Sequence, residues 1–512
     1  MGTGPTTGPK VTTTGLFCNG ATVPAAVQTI VVQTTGASSC TLSPVNSSNP
    51  LHPVYIYSNP FTCNNFSVAI ISAASSSSSS SSAPSVSINI DRSLFVHDLD
   101  TLESTPIRLV DVMDQLATQM NAINTAPSAQ INGTELFKRM WSQQLTGTNG
   151  NCTGRVNGWA VACRNVEGAQ ATSDHISQYK VIGLVNRFDL RDKSSFSDCG
   201  EYRVIFARNA HDDGRRNFII FEAQVPNPSP GNANACRPIQ QFWQGLSTQD
   251  NAAVRSQLLR DFYFNGLPAS NVRAPIDIRN YSQTTGQIRT NQFMEPVWLL
   301  KEYKVSTEAG VSTLNVVSDK SNPVTELFEA NNPDARAASF QADFVNNLRS
   351  LLITDLSTFS LTISNDAHNN GQSHADGVEN NFLRNFTAKS RNSSFDAALN
   401  NRLLELGSTL SRDQVLNRAT AMTCGGCHQP AAYGLTNANA VGPNQSWPNS
   451  LSFVHVGETP DRISGLFPLS DALTQVFLPA RKLDMESFLN KSPSTAKQAP
   501  TKPTTPTGKR SG

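Results

Sequence analysis

The spacing of apolar positions changes character along this chain. Before residue 73 it alternates in short runs, around Val27–Val32, Val54–Tyr57 and Phe66–Ile71, on a background of Thr, Ser and Gly. Period-two alternation is the mark of half-buried strands, so residues 1–73 read as a β-type or flexible leader. The run Ser75–Ser82 has nothing apolar to bury, and residues 74–85 form a linker. From residue 86 both periods occur. Leu109, Val112, Met113, Leu116 and Met120 share one face of a helix within Ile107–Met120, and Thr134–Leu145 predicts a second. Val181–Val185, Tyr202–Ala207 and Phe218–Val225 are β-branched and aromatic runs between turn residues, expected in one antiparallel or mixed sheet. Helices over Ile239–Leu246 and Ala252–Phe264 and strands at Gln287–Thr290 and Val297–Val305 follow.

Beyond Val324 the helical period dominates. Phe340, Phe344, Leu348 and Leu351 form one stripe, and Phe395, Leu399, Leu403 and Leu406 another; both read as core. Leu451–Val456 is strand-like, and Pro479 separates helical segments at Ser470–Phe477 and Arg481–Leu489. Residues 491–512 hold Pro, Thr and five basic residues without an acid, the composition of a disordered tail. The expected class is α+β: a mixed α/β domain over 86–330 preceded by the leader, then a mainly helical domain over 331–490.

Composition narrows the function. Of 512 residues 38% are hydrophobic and 15% charged, with a net charge of +1, which gives no general attraction to nucleic acid or anionic membrane. No apolar run reaches the roughly 18–20 residues of a membrane span.

The strongest chemical pattern is Cys424-Gly425-Gly426-Cys427-His428. It reads C-x-x-C-H, with two thiols spaced to add to the two vinyl groups of a haem and a histidine placed to ligate its iron. A zinc ribbon would need a second close Cys or Cys/His pair, and the other cysteines (Cys18, Cys40, Cys63, Cys152, Cys163, Cys199, Cys236) form no second C-x-x-C. A thioredoxin-like dithiol would sit between strand and helix and leave His428 without a task. Ahead of the motif, Ser411 and Gln414 fit a capping box, and Val415, Ala419 and Met422 mark one face of a short helix that leads into Cys424 and ends at the two glycines.

On these residues the chain resembles the c-type cytochromes, over the motif and about the last hundred residues. The resemblance implies one covalent haem c held by Cys424 and Cys427, His428 as proximal ligand, single-electron transfer with a redox partner protein, and a periplasmic or extracellular location reached by export. Residues 1–20 show no signal peptide, so the natural start is expected upstream or removed. The sixth iron ligand is open between His455, in Phe453-Val454-His455, and Met485; His455 is preferred because Met485 also belongs to the apolar stripe of the last helix.

Alternatives are a haem-dependent oxidoreductase such as a peroxidase, and a surface or adhesion protein without haem. Other polar groups stand outside the motif. Arg187 and Asp189, or His211, Asp212 and Asp213 beside Arg215 and Arg216, have catalytic residue types but read more simply as strand-end ion pairs and a charged turn. The loop with Asp366, His368, His374, Asp376 and Glu379 has metal-ligand types without calcium-loop spacing. Cys152–Cys163 and Cys199–Cys236 are candidate disulfides, which would suit an oxidising compartment.

Overall fold

The computed structural model describes residues 86–125, 130–145, 154–172, 175–208, 215–375, 380–429 and 440–491, and short strands before residue 72. The chain divides into two units, Met1–Ser85 and Val86–Gly512. In the first, Val11–Thr12, Phe66–Ile71, Thr29–Thr34 and Ser39–Thr41 form an antiparallel sheet in that order, and Ala21–Thr22 pairs with Val54–Tyr55.

The second unit is mixed α/β around an eight-stranded antiparallel sheet. Its strands are β1 (Phe95–Val96), β2 (Tyr179–Arg187), β3 (Asp198–Arg208), β4 (Arg216–Pro226), β5 (Gln287–Phe293), β6 (Leu299–Glu308), β7 (Val311–Val317) and β8 (Ser373–His374). They lie in the order β7-β6-β5-β4-β3-β2-β1, and β8 takes the part of the β6 edge that β7 leaves free, pairing Leu299 with His374. Long β-branched and aromatic runs make β2 to β5, and hairpin-type connections keep neighbours antiparallel.

Strand alternation gives this sheet two different faces. Tyr202, Val204 and Phe206 of β3 share one face with Ile219 and Phe221 of β4 and Ile288 of β5. Helices α1 (Leu109–Ile123), α2 (Gly133–Ser142), α3 (Arg237–Leu246) and α4 (Ala252–Asn265) contribute the apolar side chains that belong to the same core. Tyr202 stacks on Trp243 at 6.1 Å and meets Phe262 edge-on at 5.4 Å. The Cys199–Cys236 disulfide, with Cα atoms 5.3 Å apart, ties the start of β3 to the start of α3; Cys163 is disulfide-bonded as well. Cys152 and His211–Asp213 lie outside the described residues.

A second apolar cluster is built from α5 (Arg336–Asn346), α6 (Phe382–Lys389), α7 (Ser394–Glu405) and α8 (Arg412–Ala421). Phe328 is its centre, stacked on Phe382 at 4.4 Å and edge-on to Phe340 and Phe344 at 4.8 and 5.2 Å. The Phe340/Phe344 and Phe395/Leu399/Leu403 stripes are buried here. The capping box is present: Ser411 Oγ accepts from the Gln414 amide, and Gln414 Oε1 from the Ser411 amide at 2.9 Å.

Two local expectations change. Leu451–Val456 is not a strand but a tight turn with Ser452 and Phe453 at φ +44° and +71°; its purpose appears at the site below. Pro479 does not break the last helix. It lies in the first turn of α10 (Leu478–Asn490), where its missing amide is not needed, and the preceding Ala472–Phe477 turn runs straight into it. No helix among the described residues is long and apolar enough to cross a membrane.

The helix-covered face also buries a lysine. Lys301 on β6 is 1% exposed and donates to Gln144 Oε1 and the Ala162 carbonyl at 2.6 and 3.0 Å. Burial, with Arg164 nearby, pulls its ammonium down to about 7. Unfolded, this lysine keeps its proton to about pH 10.5; folded, it gives it up near 7, so raising the pH between these values favours folding. Relative to Lys301→Met, the natural chain should therefore gain stability as the pH rises from 7 to 8.5, at half of about 1.4 kcal/mol per pH unit near pH 7 and close to the full value by pH 8.5. Urea denaturation of both proteins across that window checks it; a constant difference would show that Lys301 stays charged inside the fold.

Candidate functional site

The motif occupies its own helical turn, α9 (Cys424–His428). The helix before it does not run through: α8 ends at Ala421, and Thr423 starts the new turn. Thr423 Oγ1 accepts from the Gly426 amide at 2.9 Å and donates to the Thr420 carbonyl at 2.8 Å, which fixes the angle between the two helices. The glycines are therefore inside the turn, not at a helix end. Each is required by a close approach. A Cβ on Gly426 would lie 1.9 Å from the Thr420 carbonyl oxygen, and one on Gly425 would lie 2.1 Å from that of His374 in β8. The Gly425 amide also donates to Ser373 Oγ at 2.7 Å. The motif is thus wedged between the end of α8 and the edge strand of the sheet.

This places Cys424, Cys427 and His428 on the wall of a cavity of about 390 Å³. That volume falls in the usual range of about 300–1,000 Å³ for small-molecule sites. The opposite wall is the second face of the sheet: Val185, Ile205, Phe218, Ile220 and Leu300 with Arg187, Arg203, Glu222, Arg289 and Asn291. Val454, His455, Val456, Leu473, Phe477 and Arg481 close the remaining side.

His428 is held by its Nδ1. That nitrogen donates to the Phe453 carbonyl at 3.0 Å, and Asn291 Nδ2 donates to the same oxygen at 3.0 Å. The left-handed turn at Ser452–Phe453 is what aims this carbonyl inward. A bulky residue at φ +71° is strained and persists only where its surroundings hold it. Here Phe453 is stacked on Trp298 at 5.5 Å, which is stacked on Phe293 at 4.8 Å. A histidine bonded through Nδ1 is fixed in the tautomer that leaves Nε2 as its electron-pair donor. Enclosure in the cavity pulls the imidazole down to about 4, so the ring is neutral near pH 7, the ligating form.

His455 lies beside it. The two ring centres are 4.4 Å apart, His455 Nε2 is 3.3 Å from Cys427 Sγ, and its Nδ1 is 2.8 Å from Ser470 Oγ. Burial, then His428, hold its pKa well below the ordinary range. With metal–imidazole bonds of about 2 Å, one ion between both rings would set their centres roughly 6 Å apart, so shared ligation requires them to separate by roughly 2 Å. Among the described residues no group of three or more His, Cys, Asp or Glu is arranged to hold a metal ion.

The thiols of Cys424 and Cys427 are both free. Burial raises both, Cys424 beyond what nearby Arg289 offsets and Cys427 to about 11. A dithiol oxidoreductase needs a lowered thiol pKa, so this environment is the reverse of a thioredoxin-type site.

Other candidates lie elsewhere. Met485 does not line the cavity; its sulfur is buried and accepts from Asn186 Nδ2 at 3.7 Å. His368 is buried, bonded to Ser339 Oγ at 3.1 Å and edge-on to Phe340. His374 lines a separate polar recess, and Asp376 and Glu379 are outside the described residues. Arg216 pairs with Glu458 and lies over Trp298, holding the turn that carries Phe453.

Sequence reading singled out Arg187 and Asp189 but missed the charges with which they share the cavity face. Arg203 bridges Glu201 and Glu222, and Arg289 bridges Glu222 and Glu302 at 2.8 and 3.1 Å. The available signal was a charge at every second position, Glu201 and Arg203 on β3 and Glu222 in register on β4, inside otherwise apolar strands. No family model, curated protein or solved structure matches the chain.

The wedge is testable by two glycine substitutions of opposite expected sign. Gly426→Ala forces a Cβ into the Thr420 carbonyl and should cost about 1–3 kcal/mol. Gly245→Ala on α3, where a Cβ meets nothing within 4 Å, should gain up to about 1 kcal/mol. Chemical denaturation of the two variants reads both; a neutral Gly426→Ala would mean the motif is not seated as described.

Proposed function

We propose that the cavity holds one haem c, attached through Cys424 and Cys427 with His428 as axial ligand, and that the protein is an exported single-electron carrier. The observation that carries this reading is the tethering of His428. A histidine in a C-x-x-C-H motif, bonded by Nδ1 to a main-chain carbonyl that a strained turn exists to present, has its Nε2 reserved for a metal. The residues fit the group in two further respects. Both thiols are unbonded on the same wall, and the facing sheet supplies an apolar surface of Val185, Ile205, Phe218, Ile220 and Leu300. When bound, the haem supplies a one-electron couple whose potential depends on its ligands and on burial.

In this reading the haem domain is the helical region 331–490 with the antiparallel sheet of 86–330 as its second wall. The Phe453 carbonyl and Asn291 orient His428, and the aliphatic wall excludes water. His455 is the preferred sixth ligand because it is the other imidazole in the cavity, whereas Met485 has Asn186 as its partner. Two imidazole ligands would leave no open position on the iron, which would suit electron transfer better than peroxide chemistry. The Cys199–Cys236 disulfide supports an oxidising compartment, periplasmic or extracellular. A redox partner protein is implied by the transfer role.

Expression with export and c-type maturation machinery should yield one covalent haem per chain by pyridine haemochrome. Cys424→Ser combined with Cys427→Ser should abolish covalent haem, and His428→Ala should change the axial-ligand spectrum while leaving the thioether attachment. Wild-type material that matures without covalent haem would end the cytochrome reading. A low-spin spectrum unaltered by cyanide or peroxide is expected of the carrier; a new band on adding peroxide would favour the oxidoreductase instead.

A further inference from the structure

The arginine end of the cavity is charged but not balanced. Arg187 and Arg481 share one carboxylate, Asp189, at 2.9 and 3.5 Å. Arg187 takes the bidentate position, donating from Nε and Nη2. Arg481 is left with the long approach. It lines the cavity, its side chain is 6% exposed, it donates no hydrogen bond among the described residues, and its Nε has no partner. The ring of Phe477 lies 5.6 Å from its guanidinium carbon, ring centre to Cζ. Buried guanidinium groups are normally saturated with acceptors, and an unsatisfied one is costly. Burial, with Arg187 beside it, lowers its pKa, and Asp189 at its long approach offsets this only in part.

The acids of the same wall are already committed. Glu201 serves Arg203, while Glu222 is shared by Arg203 and Arg289, and Glu302 pairs with Arg289. Asp319 does not line the cavity; its carboxyl group is buried without hydrogen-bond partners, and burial, then Glu302, push it well above the usual carboxylate range. The one acid that lines the cavity among the described residues, Glu222, is thus spent on Arg203 and Arg289, while Arg187 and Arg481 form a cationic end.

We propose that Arg481, with Arg187, forms a carboxylate-binding subsite of this cavity. On the haem reading, on which this assignment rests, the carboxylate is a propionate of the cofactor. Carboxylates of any other ligand would meet the same two guanidinium groups, so the chemistry is separable from the source. Arg481 acts here as a binding residue whose charge is unfavourable until the anion arrives.

Two measurements on the full chain decide it. In protein prepared without haem, Arg481→Gln should melt at a higher temperature than wild type, because a desolvated, unbonded charge is removed. Acetate at high concentration should raise the melting temperature of wild type and Arg481→Lys but not of Arg481→Gln. A lower melting temperature for Arg481→Gln together with no acetate response in wild type would make Arg481 structural and overturn the subsite. In haem-loaded protein, Arg481→Gln should keep its full haemochrome while its reduction potential falls, and Arg481→Lys should restore most of the loss. Full haem content with an unchanged potential overturns the propionate assignment and leaves the cytochrome reading standing. Wild type without covalent haem ends that reading, and the acetate experiment then decides the carboxylate subsite by itself.

Discussion

The close packing of Gly425 and Gly426 is the constraint on which the site depends. Because neither carries a Cβ, one helical turn can lie against the Thr420 carbonyl on one side and the main chain of β8 on the other. That contact joins the two apolar clusters, since α8 belongs to the phenylalanine-rich one and β8 completes the sheet of the other. The cavity is the space this joint leaves between the motif and the outer face of the sheet. Moving the motif by the width of a methyl group would move the thiols and His428 away from the Phe453 carbonyl. The glycines thus act through backbone distance, and their effect reaches the chemistry through position alone.

The sheet solves an opposite problem. One face packs aromatic side chains against four helices, and the other carries Arg187, Arg203, Glu222, Arg289 and Glu302 at positions that alternate with the first. A row of buried ions costs several kcal/mol of desolvation per group, and pairing recovers that only when the remaining donors and acceptors are satisfied. Glu222, 1% exposed and held between two arginines, stays below the usual carboxylate range because they outweigh its burial. Such a wall contributes little to stability compared with apolar side chains of equal volume. Its use is to fix charge at defined points facing the cavity.

Much of this was legible in the residues. The α1 stripe, the α8 capping box and the run of hairpin strands follow from local pattern, because each depends on neighbours close in the chain or on periodicity; the Cys199–Cys236 pairing, 37 residues apart, was only a candidate. Three features depended on long-range contacts and were not. Ser373–His374 has no strand signal of its own and becomes an edge strand only because β6 leaves a free edge there. Leu451–Val456 has the composition of a strand, yet Trp298 and the His428 bond hold its centre in a left-handed turn. The arginines and glutamates of β3 to β5 read as ordinary alternation, which predicts a solvated face; that the face is covered by α9, Val454–Val456 and α10 is visible only in three dimensions.

Two buried arginines show what separates a structural charge from one that waits for a ligand. Arg418 of α8 is 1% exposed, more enclosed than Arg481, and has no carboxylate partner among the described residues. Its guanidinium nevertheless donates to three main-chain carbonyls, those of Leu351, Ile353 and Val441, and lies 4.9 Å over the ring of Phe359. Every direction in which it donates is met by chain segments it ties to α8, so its charge is spread into the fold and explained by it. Arg481 has a formal counter-ion yet donates nothing, and it faces a cavity. Burial and charge are common to both residues; the difference is whether the donors are spent. By that criterion Met485 is accounted for by its neighbour Asn186, whereas His428 and the guanidinium of Arg481 line the same cavity.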